Sequence, residues 1–137
     1  MGTWDKGAFD NDAAADFSGD LDDAAPTDRE QLIRHTLATA ADNADYLESS
    51  EACRAIAAAA IVASQQPDGP ELDSVYGPDF LADGGSITLP DDLVELSLRA
   101  IARVLDEESE WRDLWVESDG LEDAIGALEP IRAALNR

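Results

Sequence analysis

The sequence predicts an all-α protein: a single compact bundle of about five to six helices, opened by an N-terminal aromatic clasp and interrupted by a long acidic middle loop. Three observations carry this expectation. Apolar residues recur three and four apart in several separate segments, which is the period of a helix face. Residues that start helices, among them Thr27, Ser49, Pro90 and Ser109, stand just ahead of those segments. Short strands are conceivable only at residues 72–75 and 86–89. At 137 residues the chain is large enough to bury one core without disulfide staples, so residues 1–137 read as one domain.

The chain opens on an aromatic, glycine-punctuated turn. Gly2 and Gly7 permit tight turns that fold Trp4 and Phe9 back onto the body. Asp10 or Asn11 then caps a first helix over residues 11–21, with Asp12 complementing its positive end. Ala13 or Ala14, Phe17 and Leu21 share one face. The reading is a clasp that plugs Trp4, Phe9 and Phe17 into the core. A cation site at Asp10, Asp12 and Asp16 is the other reading, but Asp10-Asn11-Asp12 lacks the glycine and distant glutamate of a calcium loop.

A second helix is expected over residues 27–42, where Thr27-Asp28-Arg29-Glu30 forms a capping box behind Pro26 and Ile33, Leu37, Ala40 and Ala41 point inward. Ser49 or Ser50 opens a third, with Cys53, Ile56, Ala57, Ala60 and Ile61 as its apolar stripe, ending before Pro67. Its alanines let neighbours approach closely, which suits the centre of a bundle. Residues 67–89 form a Pro-, Gly- and Asp-rich loop, longer than a compact domain usually carries.

Pro90 fits the first position of a fourth helix, followed by Asp91 and Asp92, with Leu93, Leu96, Ala100, Ile101, Val104 and Leu105 buried. Ser109 caps a short fifth carrying Trp111, Leu114 and Trp115. Residues 121–136 read as a sixth, with Leu121, Ile125, Leu128, Ile131 and Leu135 aligned. Pro130 removes its hydrogen bond to Gly126 and is expected to kink or split it.

Charge narrows the function. Thirty-one acids against nine bases give a net charge of −22. Such a surface repels phosphate, so direct nucleic-acid binding and attachment to anionic membranes are not expected. Residues 31–66 carry only −2 while residues 67–95 carry −8, which places the buried centre in the former. The lone Cys53 excludes an internal disulfide, and the most apolar stretch, residues 55–63, is far short of a membrane span. Met1-Gly2 is not a myristoylation start, because Lys6 stands where Ser or Thr is needed. A cytoplasmic protein is the expectation.

Catalysis finds little support, and no cofactor is implied. His35 stands alone, at no metal-ligand spacing. Cys53 lies in an apolar stripe without a basic partner. There is no phosphate loop, nucleophile elbow or zinc spacing. A carboxylate acid–base pair is not singled out among so many acids. The chain is therefore not expected to be an enzyme, and small-enzyme carboxylate chemistry ranks third among its functions.

Two binding surfaces suggest themselves. Trp111 and Trp115 lie one turn apart on one helix face. They form either a core ridge or, if exposed among Glu107, Glu108, Glu110 and Glu117, an acid-rimmed aromatic hot spot for a basic partner. The loop offers Tyr76 and Phe80 beside Asp79 and Asp83, which either pin it to the core or face a partner. The leading expectation is an acidic protein-interaction module, such as an immunity- or antitoxin-like inhibitor of a basic protein. The alternative is a DNA mimic occupying a DNA-binding enzyme. Twenty-two charges match roughly 11 base pairs of duplex, but the near-neutral second and third helices supply few carboxylates for the two rows a mimic needs.

The opening Gly2-Thr3-Trp4, followed by Gly7, Phe9, Asp10, Asn11 and Asp12, resembles the signature of DUF4259, a family of small uncharacterised bacterial proteins. The Val75-Tyr76-Gly77-Pro78 turn and the later helices are similar more loosely. The family usually has glycine where this chain has Asp5. The resemblance implies no activity, cofactor or site residue.

Overall fold

Ala14, Phe17 and Leu21, three and four residues apart, turn one side of α1 (Asp12–Asp23) into the core, as their spacing requires. A computed structural model describes residues 12–66, 87 and 89–136 of the chain. After α1 a short 3-10 turn (Pro26–Asp28) leads into α2 (Arg29–Ala41), α3 (Ser49–Ser64), α4 (Asp92–Val104), α5 (Glu110–Glu117) and α6 (Leu121–Leu135). The protein is all-α, with six α-helices and no strand among the described residues. An isolated parallel bridge joins Leu47 and Ser109.

The third helix is the axis of the bundle, packing against α1, α2, α4, α5 and α6. Its nine residues from Ala55 to Ala63 are all buried, so the expected stripe widens to the full circumference. Alanine makes this possible, because small side chains bring five neighbours close to one helix. Around it lie Phe17 and Leu21 of α1, Ile33 and Leu37 of α2, Leu93, Ile101 and Val104 of α4, and Leu128, Ile131 and Leu135 of α6. Ser97 of α4 is fully buried too, in a place the periodicity assigned to Leu96, which is only half-buried.

Several local expectations are corrected. The capping box at Thr27 does not form. The chain takes the 3-10 turn first, α2 begins at Arg29, and the side chain of its N-cap, Asp28, accepts no capping hydrogen bond. Arg29 instead reaches back to the end of α1, donating from Nε to the Leu21 carbonyl at 2.8 Å and from a terminal nitrogen to that of Asp22 at 3.4 Å. It thereby adds a donor at the end of α1, where the Leu21 carbonyl also accepts from Ala24 N–H at 3.2 Å. Glu48 stands ahead of α3, and its N–H donates to Glu51 Oε1 at 3.3 Å. Pro130 does not split α6, which runs unbroken through it. Both Pro130 and Gly126 are exposed, so the carbonyl freed at Gly126 can meet water.

The join between α5 and α6 is a Schellman closure. Gly120 N–H donates to the Trp115 carbonyl at 2.9 Å and Asp119 N–H to that of Val116 at 3.2 Å. Asp119 takes the left-handed conformation usual for glycine, with φ of 59°. Glycine is needed one residue later, because a Cβ on Gly120 would lie 2.8 Å from the Trp115 ring. Trp4, Phe9 and all of the middle loop except Ile87 and Leu89 lie outside the described residues, so the clasp is described only at Phe17.

Candidate functional site: an acidic face latched to a loop

The residues that join α2 to α3 and those that join α4 to α5 meet along one edge of the bundle. Leu47 carries the junction: its N–H donates to the Glu108 carbonyl at 2.8 Å, and its own carbonyl accepts from Glu110 N–H at 2.8 Å. Its side chain is fully buried. Glu110 caps the neighbouring helix, accepting from Ser49 N–H of α3 at 2.8 Å. The first turn of a helix has open N–H donors and favours a negative group, so one carboxylate ties two helix starts together. Ser109 caps α5 as expected, accepting from Arg112 N–H at 3.4 Å.

Tyr46 lies across this junction. Its O–H donates to Asp113 Oδ2 at 2.6 Å, linking the α2–α3 loop to the outer side of α5. The phenol pKa is pushed up to about 12, first by that hydrogen bond, then by burial and by the charges of Asp113, Glu110 and Glu108. The phenol is thus a neutral donor at physiological pH. Its side chain remains 45% exposed, and Val116, one turn beyond Asp113, is 50% exposed. These are the two exposed large hydrophobic residues among the described residues. Both sit among carboxylates.

Trp111 and Trp115 are found on the opposite side of α5. They are 5% and 7% exposed, with ring centroids 6.2 Å apart in an edge-to-face arrangement at 63°. The indoles therefore take the core-ridge arrangement and do not form an exposed patch; the aromatic among the acids is Tyr46. Tyr76, Asp79, Phe80 and Asp83 lie outside the described residues, as does Asp10. Asp16 is exposed on α1.

Arg112 of α5 is half-buried and makes no ion pair among the described residues, while the other cations near this edge are engaged. Arg103 donates to the carbonyls of Asn43 at 3.1 Å, Glu108 at 3.0 Å and Asp45. Arg99 pairs with Asp42 at 2.6 Å. Elsewhere Arg34 joins Asp92 and Glu30, and Arg132 joins Glu129. The Arg34 guanidinium holds the Asp92 carboxyl below its ordinary range. Among the described residues, Asp106, Glu107, Glu108, Glu110, Asp113 and Glu117 make no ion pair. The edge presents carboxylates, an exposed phenol ring and a valine, a set suited to holding a cationic group.

Nothing at this edge pairs a nucleophile with a base. His35 is exposed on α2, where its carbonyl accepts from the Thr39 hydroxyl. Cys53 is buried in α3, and burial pushes its thiol up to about 12. No cluster of three or more metal-ligating side chains occurs among the described residues. Sequence reasoning missed Tyr46, Arg103 and the capping role of Glu110. The available signal was an aromatic residue in an otherwise polar interhelix segment, Asp42-Asn43-Ala44-Asp45-Tyr46.

These features define an all-helical protein with a carboxylate-rich face fixed by an interhelix latch. The chain belongs to the family described as Domain of unknown function (DUF4259), whose model matches residues 2–125. No curated protein and no solved structure matches it. No helix among the described residues is long and apolar enough to cross a membrane.

Proposed function

We propose that this protein is an acidic protein-interaction module that binds a basic protein through the face formed by Tyr46, Asp113, Val116 and Glu117. The observation that carries the reading is the coincidence, on one edge, of the exposed Tyr46 and Val116 with carboxylates that form no ion pair with a described cation. An apolar centre with a charged rim is the composition of a protein-binding hot spot. The net charge of −22 would steer a cationic partner towards it. An immunity- or antitoxin-like inhibitor acting in the cytoplasm, by occupying its target and not by catalysis, fits this description. The exposed, isolated His35 and the protonated, buried Cys53 favour binding over chemistry.

The test is capture on the immobilised full chain from a lysate of the native host, washed at low salt and at about 0.5 M, where the Debye length falls to roughly 4 Å. The reading expects a basic protein retained at low salt and shed at high salt. A column that retains nothing at either salt contradicts it. Retention of a DNA-binding enzyme would transfer the conclusion to DNA mimicry.

A further inference from the structure

Arg103 stands on the last turn of α4 and sends its guanidinium to three main-chain carbonyls, those of Asn43, Asp45 and Glu108. Two belong to the α2–α3 segment and the third to the α4–α5 segment, so one side chain spans both segments that meet at the Leu47–Ser109 bridge. Its acceptors are carbonyls, although carboxylates at Asp42, Asp106, Glu107 and Glu108 crowd the same two segments. Arg99, one turn earlier, makes an exposed ion pair with Asp42, a contact of little weight. The planar fork of Arg103 fixes geometry, because its donors lie in one plane and are all used only when the two segments are correctly placed.

We infer that Arg103 is the positioning residue of the partner-facing surface: it clamps residues 43–48 against residues 105–109, so that Tyr46 already lies across Asp113 before any partner arrives. The functional half of this inference rests on the proposal that the Tyr46 face receives the partner; the structural half does not. A preformed surface avoids the ordering penalty that a loose loop would add on binding. Loss of Arg103 therefore weakens binding without removing a group that touches the partner. Lysine does not replace it, since a single ammonium cannot span three separated carbonyls.

The test is amide hydrogen exchange on the full chain, comparing the wild type with Arg103→Lys and Arg103→Gln, and with Tyr46→Phe, which deletes only the phenol bond. In both Arg103 variants the amides of Leu47, Ser49 and Glu110 are expected to exchange about tenfold faster or more, while those of Ala58 and Ala100 inside α3 and α4 keep their rates. Tyr46→Phe is expected to leave the Leu47 and Glu110 amides within about twofold of wild type. Unchanged rates at the three junction amides in Arg103→Lys would overturn the clamp. So would an equal acceleration throughout α3 and α4, which would make Arg103 a general stability residue. If Arg103→Gln fails to fold, Arg103→Lys, which keeps the charge and the stem, decides alone. These rates are read without a partner, so failure of the clamp and failure of the binding proposal are separate results.

Discussion

At Tyr46 the phenolic proton lies between the ring oxygen and Asp113, 2.6 Å apart, with Glu110 and Glu108 adding negative charge. Each of these makes ionisation harder. Tyrosinate absorbance from Tyr46, measured in a Tyr76→Phe background, is expected near pH 12, against an ordinary value of 10.0, and Asp113→Asn is expected to bring it back down. Because the folded-state pKa is raised, the linked stability is fully present below pH 10 and is lost as pH climbs through 12. A Tyr46 transition at pH 10 in the folded protein would mean that the bond does not persist in solution. Phe17 tests the core. It is 2% exposed, so Phe17→Ala is expected to lower stability by about 3–5 kcal/mol in urea unfolding. A loss below about 1 kcal/mol would place the ring at the surface. Phe17, Leu21, Ile33 and Leu37 were legible in the sequence because helical period alone selects them. Tyr46 was not, because its partner is 67 residues away. Ser97 was not legible for a related reason: a small hydroxyl can be buried wherever neighbouring helices need room, and no apolar period marks it.

The helices themselves followed from pattern, while their ends followed from contacts across the chain. Ser109 caps α5 as its type and position suggested, yet α3 adds Glu110 of a distant segment to its own Glu48–Glu51 capping box, and Arg29 reaches back to the end of α1. Thr27 is the counterexample. It is exposed in the 3-10 turn, ahead of an α2 without a side-chain cap, so Thr27→Ala is expected to change stability by less than about 0.5 kcal/mol. A loss of about 1 kcal/mol in the same unfolding measurement would restore the capping box. Gly120 carries the opposite expectation. A methyl group there would press on the Trp115 ring at 2.8 Å, so Gly120→Ala is expected to destabilise by about 1–3 kcal/mol. The near-UV circular dichroism of the tryptophans should change with it; a neutral substitution would mean that the α5–α6 closure is looser than its hydrogen bonds imply. The structure puts aspartate in the left-handed position, because contact with Trp115 makes the stronger demand on glycine.

For the whole molecule, the apolar, nearly neutral α3 at the centre and the acids at the periphery separate stability from surface charge. That division was readable from composition, since residues 31–66 carry so little of the net charge. The proposed binding face was only half readable. Its acids were visible as a run around α5, but helical geometry alone left both sides of α5 available to Trp111 and Trp115, and packing on α3 and α6 takes them inward. Under the proposed function, charge matters at this face and not merely in total. The most direct measurement is the affinity of a fluorescent oligo-arginine peptide, by anisotropy at low salt. It compares the wild type with a face variant, Tyr46→Ala/Asp113→Asn/Glu117→Gln, and with a charge-matched control on α6, Glu122→Gln/Asp123→Asn. The face variant is expected to bind about tenfold more weakly or worse, while the control stays within about twofold of wild type. Equal losses in the two variants would contradict this expectation, leaving a protein that attracts cations over its whole surface and favours no face.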